Sequence, residues 1–207
     1  MLQLETDRLL LRAPVPEDAV ALAPMYADPE VMRYVGDGRT LTRSETDRSV
    51  RRMIERWEAD GFGLFTTVRK EDEAVVGRVG LLVWNTDTWE PTTRAEAANV
   101  PSEVEVGYTL GRDYWGRGYA TEAATAVLAH AFGPLGLPEV VSFTVPANRR
   151  SRHVMERLGM TRSPADDFEH PGLPDGHPLR THVLYRLSQS AWLTSQAGRS
   201  DQTAFPA

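Results

Sequence analysis

The chain has 207 residues, 41% hydrophobic and 25% charged, an ordinary globular balance with enough length for a sizeable core. A net charge of −6 and a pI near 5.4 lack the basic footprint of a general nucleic-acid binder and leave a cationic ligand acceptable. Cysteine is absent, so disulfide frameworks, thiolate metal sites and a cysteine nucleophile are excluded; with no apolar run of ~18 residues and no basic, apolar leader in Met1–Glu5, the expectation is a soluble cytoplasmic protein.

In chain order, Leu4 to Arg12 is rich in Leu and charge and predicts a first strand. Pro16-Glu17-Asp18 predicts a helix start, since proline there lacks only an orphan donor and acids suit the dipole; that short helix should fade near Asp28-Pro29. Thr42-Arg43-Ser44-Glu45 has the form of a capping box, with Ser44 an alternative cap, and Val50, Ile54 and Trp57 then recur at helical spacing up to Gly61. Gly63–Arg69 and Val75–Trp84 predict two strands joined by a turn at Lys70–Glu73.

Asn85 to Ser102 is polar, carries Pro91 and Pro101, and reads as a long loop. Glu103 to Leu110 alternates as a strand. Thr121 to Phe132 is Ala-rich and predicts a helix ended by Gly133-Pro134. Val140–Val145 is a β-branched strand, Arg149–Leu158 a helix stopped by Gly159, Pro164–Pro178 a loop, and His182–Leu187 a last strand. The expected organisation is a single domain over 1–190 and a polar, disordered tail over 191–207. Strands and helices in this order indicate an α/β or α+β domain around one sheet.

The strongest local signal runs from Tyr108 to Ala123, where a strand enters a glycine-containing turn that opens a helix. Gly116 and Gly118 let backbone approach a ligand, and the helix start offers unpaired N–H groups and a positive dipole end, together an anion site. The Gly-Lys-Ser/Thr ending of a Walker loop and the third glycine of a dinucleotide fingerprint are both missing. A tight turn would use the same two glycines.

Trp115-Gly116-Arg117-Gly118-Tyr119-Ala120 resembles the acetyl-CoA signature of the GNAT superfamily, Gln/Arg-x-x-Gly-x-Gly/Ala, with Trp115 departing at the first position. Thr6–Arg12, Glu105-Val106-Gly107-Tyr108, and Asn148–Ser151 through Leu158-Gly159-Met160 resemble its RimJ/RimL-type branch, in matching order across roughly residues 2–188. The resemblance implies a GNAT-like fold: a mixed, mostly antiparallel twisted sheet flanked by helices, with the strand at 103–110 splaying from that at 140–145 to admit the pantetheine arm. It implies that N–H groups near Arg117, Gly118, Ala120 and Thr121 hold the coenzyme diphosphate. Val106, Tyr108, Leu110, Trp115, Gly116, Tyr119, Asn148 and Ser151 complete the implied acetyl-CoA contacts.

The activity implied is transfer of acetyl from acetyl-CoA to a primary amine by direct attack, which needs a base, oxyanion donors and an acid for the leaving sulfur. Ser151 matches the family's serine near that sulfur; satisfying its own helix turn is the duller role. Tyr108 and Tyr114 are further phenolic donors, with packing the alternative for Tyr108. Asn148 suits a helix N-cap as well as a ligand contact. Glu105 is the candidate base, against a solvated or ion-paired role, and Glu103 ranks behind it.

The five histidines show no metal-binding spacing, and no metal is expected; His170 and His177 lie in a segment that resembles the family's acceptor-side loop, where they could shape the amine site, but a surface-loop placement is the preferred reading. Trp57, Trp84 and Trp89 fit core or lid packing. Asp166, Asp167 and Glu169 suggest a cationic acceptor. The expected partners are acetyl-CoA and an amine (protein N-terminus, peptide, amino acid or small molecule), without nucleic acid or membrane, and with a homodimer left open. A non-catalytic acyl-CoA-binding sensor is the competing reading, and a nucleotide-binding protein a third.

Overall fold

The computed structural model describes residues 2–202, with side chains described through residue 197. In chain order it runs β1 (Gln3–Glu5), β2 (Leu9–Arg12), α1 (Asp18–Tyr26), α2 (Pro29–Met32), α3 (Arg43–Asp60), β3 (Leu64–Arg69), β4 (Val75–Asn85), β5 (Glu90–Thr92) and α4 (Arg94–Ala97). Then follow β6 (Ser102–Leu110), α5 (Tyr119–Phe132), β7 (Glu139–Thr144), α6 (Arg149–Arg157), β8 (Thr161–Arg162), β9 (Phe168–Glu169), β10 (Thr181–Ser188) and α7 (Gln189–Gln202). The strands form one sheet in the order β1-β2-β3-β4-β6-β7-β10-β8, with β5 against β4 and β9 against β10. Among the described residues no helix is long and apolar enough to cross a membrane.

Every pairing is antiparallel except β6 with β7, which run parallel and share a single registered pair, Glu105 with Val141. The Ser142 hydroxyl spans the gap to the Val106 carbonyl at 2.9 Å. Beyond that point β6 stays on β4 as far as Leu110. The sheet therefore opens between β6 and β7, as the implied fold requires.

Strand alternation divides the residues of β6 between two environments. Val104, Val106, Tyr108 and Leu110 join the main core with α5 and with Met155 of α6. Glu105 faces the other way, toward Trp84 and, across the registered pair, Val141. On α5, Ala123, Ala124, Val127, Leu128 and Ala131 are fully buried at helical spacing, and the small alanines let the helix lie close on the sheet. The capping box of α3 forms, with Thr42 accepting from the Glu45 N–H and Glu45 from the Thr42 N–H.

Several elements differ from expectation. The first strand is a hairpin, because the Thr6 hydroxyl accepts from the Leu9 N–H (3.0 Å) and breaks the run. Asp28-Pro29 opens α2, with Asp28 accepting from the Glu30 N–H. The loop expected over 85–102 contains β5 and α4, the latter started by a second capping box, Thr93 with Glu96. The loop expected over 164–178 includes β9, which pairs with β10.

The tail expected from 191 begins inside α7. Ser188 accepts from the Ala191 N–H (3.2 Å), and Trp192 is buried against Phe132 at 5.9 Å between ring centroids. The end of that tail, 203–207, lies outside the described residues.

Candidate active site

The turn before α5 is shaped by glycines in the left-handed region, Gly116 at φ 72° and Gly118 at φ 81°. A Cβ at Gly116 would meet nothing within 4 Å, and one at Gly118 only the Arg8 guanidinium at 3.5 Å. These glycines thus leave open space on the ligand side of the turn. Gly118 is the N-cap of α5, and no side chain caps that end. The result is a row of main-chain donors at a positive helix end, chemistry that fits a diphosphate.

The N-terminal motif explains how this end is held. Thr6 Oγ1, the Arg8 N–H and Arg8 Nε all donate to the carboxylate of Glu122, at 2.5, 3.0 and 2.7 Å. Arg8 Nη1 reaches the Arg117 carbonyl at 3.0 Å, and its guanidinium lies 4.6 Å over the Tyr119 ring. Burial disfavours the Glu122 anion, but the bonds from Thr6 and Arg8 outweigh it and keep its pKa below the usual range. Trp115 donates its indole N–H to the Leu110 carbonyl (2.8 Å), and Arg117 Nε binds the Asp113 carbonyl (3.1 Å). Both side chains brace the turn, which leaves ligand contact to the main chain; Ala120 and Thr121 lie in the first turn of α5.

At the open strand pair, Tyr108 crosses from β6 to α6. Its hydroxyl lies 2.9 Å from the Ser151 carbonyl and 3.0 Å from Ser151 Oγ. With one phenolic proton, Tyr108 donating to the carbonyl requires Ser151 to donate to Tyr108. Burial raises the Tyr108 pKa, and the Ser151 contact opposes this only in part. Asn148 caps α6 by accepting from the Ser151 N–H (3.3 Å) and donates to Thr144 Oγ1 (3.0 Å). Arg150 stacks over Trp115 at 4.5 Å, tying the first turn of α6 to the glycine turn.

Glu105 occupies the opposite face and is 8% exposed. Burial pushes its carboxyl up to about 7, against the lowering effect of the Trp84 indole N–H and of Arg78. The Trp84 bond is 2.7 Å. Around it packs an aromatic wall: Phe143 lies edge-on to Trp84 (5.1 Å) and Trp89 (5.0 Å), and Trp89 stacks on Phe168 at 3.7 Å. His182 stacks on Phe168 at 5.2 Å, and His170 leans on His182 at 5.4 Å. Burial lowers both histidine pKa values, so both rings are neutral at pH 7.

The surface placement expected for His170 is therefore corrected: it is half-buried in this wall. Glu103 is occupied by Arg186 (2.8 Å), which also holds Glu139 and Asp166. The acids thought to attract a cation are spent internally: Asp166 on Arg186, Asp167 on Arg162 and Glu169 on Arg180. Sequence reading missed Trp84 as the partner of Glu105. The strand alternation that placed Glu103 and Glu105 on one face could have found it only with the β4–β6 register, in which Trp84 opposes Glu103.

A family model described as an acetyltransferase (GNAT) domain matches residues 8–161. The chain belongs to the GNAT acetyltransferase family. An Aspergillus fumigatus relative, FsC-acetyl coenzyme A-N(2)-transacetylase, is 31% identical over 179 residues, spanning 82% of this chain and 68% of that protein. The crystal structure of an acetyltransferase from Agrobacterium tumefaciens superposes with a TM-score of 0.67 at 28% identity, covering 90% of this chain and 94% of that one. RimL, a ribosomal L7/L12 alpha-N-protein acetyltransferase in complex with coenzyme A, shares the fold with a TM-score of 0.71 at 15% identity, over 92% of this chain and 99% of that one. The chain is an acetyl-CoA-dependent acetyltransferase with a GNAT fold.

Proposed function

We propose that this acetyltransferase acylates a primary amine by direct attack, with the α5 N-terminus holding the coenzyme, Glu105 taking the amine proton and the Tyr108–Ser151 pair serving the sulfur. The observation that carries this reading is the placement of those groups on opposite faces of one opening in the sheet. Tyr108 and Ser151 lie on the α5–α6 side, and Glu105 on the other. A donor seated in the opening would have its leaving group on one side and its attacker on the other.

Acetyl-CoA supplies the acetyl group as a thioester and leaves as a thiol. Main-chain N–H groups of Gly118, Tyr119, Ala120 and Thr121 would hold its diphosphate, where the open glycine turn leaves room. Glu105, with a pKa near 7, can be ionised at working pH and still accept a proton readily. One proton moves from the amine nitrogen to Glu105. Another moves from the Tyr108–Ser151 pair to the departing sulfur, through Ser151 Oγ or the phenol, whichever turns from its partner.

The RimJ/RimL-type branch, and hence an exposed protein or peptide N-terminus among the acceptors, is supported by the structural likeness to RimL. Thiol release from acetyl-CoA across a panel of amines and N-terminal peptides tests the reading. Turnover with at least one amine is expected. Tight coenzyme binding without turnover across the panel would favour the sensor, and a melting temperature raised by ATP but not acetyl-CoA would favour the nucleotide binder.

A further inference from the structure

The acids of the Glu105 face are largely committed to arginines, whereas two arginines of the neighbouring β4–α3 region have acids only at longer range: Glu105 for Arg78, and Glu55, Asp60 and Glu96 for Arg56. Among the described residues, the side chains of Arg78 on β4 and Arg56 on α3 form no ion pair within 4.0 Å and no hydrogen bond. The Arg78 guanidinium lies over the ring of Tyr26, 5.3 Å from its centroid. The Tyr26 hydroxyl is itself buried without a partner. Burial, together with repulsion from Arg52 and Arg78, lowers the Arg56 pKa, and Glu55 and Asp60 offset this only in part. A half-buried guanidinium without a carboxylate at contact distance is costly, and an anion bound there would relieve it.

The β4–β6 register places this charge relative to Glu105. Arg78 pairs with Thr109, Gly80 with Gly107, and Leu82 with Glu105, so Arg78 and Glu105 lie on one face, separated by a glycine pair. Four residues of strand separate their pairs, roughly 13 Å at the usual rise. Glu105 narrows the gap, because its carboxyl folds over Gly107, where an added Cβ would stand 3.5 Å from Oε2. Gly80 is closed in by the main chain of Gly63 and Leu64, whereas above Gly107 only the Glu105 carboxyl lies close, so the free surface between the carboxyl and the cation runs along β6.

We infer that Arg78 is a specificity-determining residue that selects an amine whose chain bears a carboxylate several bonds from the nitrogen, either an ω-amino acid or the N-terminus of an acidic peptide. Arg78, backed by Arg56, holds the carboxylate while the amine faces Glu105. The spacing exceeds the two bonds that separate nitrogen and carboxyl carbon in an α-amino acid. The inference rests on the acetyl-transfer reading, which orients the amine toward Glu105.

The test uses matched probes: 6-aminohexanoate against 6-aminohexanamide, and a peptide beginning Ser-Asp against one beginning Ser-Asn. Calorimetry measures their binding to the CoA-bound protein, and thiol release measures their acetylation. In at least one pair, the carboxylate member should bind roughly 10–100-fold more tightly, the scale of a charge-assisted contact. The pair that shows this identifies the free amino acid or the peptide as the source.

Arg78→Met should bring the ratio close to one, and Arg78→Lys should keep its sign. If Arg78→Met fails to fold by circular dichroism, Arg56→Met should still reduce the ratio. Equal binding of acid and amide to the wild type, no binding of either, or a preference that survives in Arg78→Met or Arg56→Met overturns the inference. A binding preference without any acetylation instead counts against the acetyl-transfer reading alone.

Discussion

At the start of α5 the proposed coenzyme contacts are main-chain N–H donors, and the side chains nearby (Arg8, Glu122, Trp115, Arg117) are turned to bracing the turn. Around Glu105, the proposed acceptor side is built of side chains: a carboxyl bonded to an indole N–H, a wall of rings and a guanidinium without a contact-distance acid. A backbone-built site serves a ligand part that never varies, and a side-chain-built one can be rewritten without refolding the chain. On the proposed function, the first site would hold the coenzyme and the second the acceptor.

The comparison can be broken most severely at the glycine turn. Gly118→Asp places a side chain at φ 81° and a negative charge in the anion cradle; acetyl-CoA affinity by calorimetry should fall by more than about 100-fold. Retained affinity would remove α5 from coenzyme binding. Next comes the other face, where Glu105→Gln should lower kcat by roughly 10²–10⁴-fold with acetyl-CoA affinity little changed. In the wild type, kcat/KM should rise with pH through about 7 as Glu105 ionises, and that limb should vanish in the variant.

The same carboxyl links to stability. Its folded pKa of about 7 lies above the ordinary 4.5, so between those values the native state holds a proton that the unfolded chain releases. Stability is therefore lost as pH rises through that window. Glu105→Gln should melt higher than the wild type above pH 7, and the two should converge below 4.5.

Smaller effects sharpen the picture. Ser151→Ala should lower kcat by roughly 10–1000-fold, because the phenol of Tyr108 remains as a donor; an unchanged rate removes Ser151 from the reaction. Trp115→Phe removes the bond to the Leu110 carbonyl and should cost about 1 kcal/mol of stability in denaturant titration, with little change in coenzyme affinity. A large loss of affinity would show that the cradle depends on the indole itself.

Local chemistry was the legible part of the fold. Thr42 and Glu45 are three residues apart, and their capping box formed where the spacing placed it; Thr93 and Glu96 carry the same signal inside a segment read as loop. The glycine turn and the Asn148 cap are likewise short-range. What stayed hidden depends on contacts between distant segments. Trp84 meeting Glu105 needs a strand register, and Trp89 stacking on Phe168 joins regions separated by four strands (β5 to β8) and three helices (α4 to α6). Likewise, α7 is anchored through Gln189 and Trp192 to Phe132 and Pro138, far back in the chain, so its polar composition alone reads as a tail.

The claim that coenzyme binding is a main-chain property of the α5 start is tested most directly by amide chemical shifts in an isotope-labelled sample titrated with CoA. The N–H signals of Arg117 through Thr121 should move more than any others outside the opening between β6 and β7. Saturable binding that leaves those amides unmoved would contradict the account.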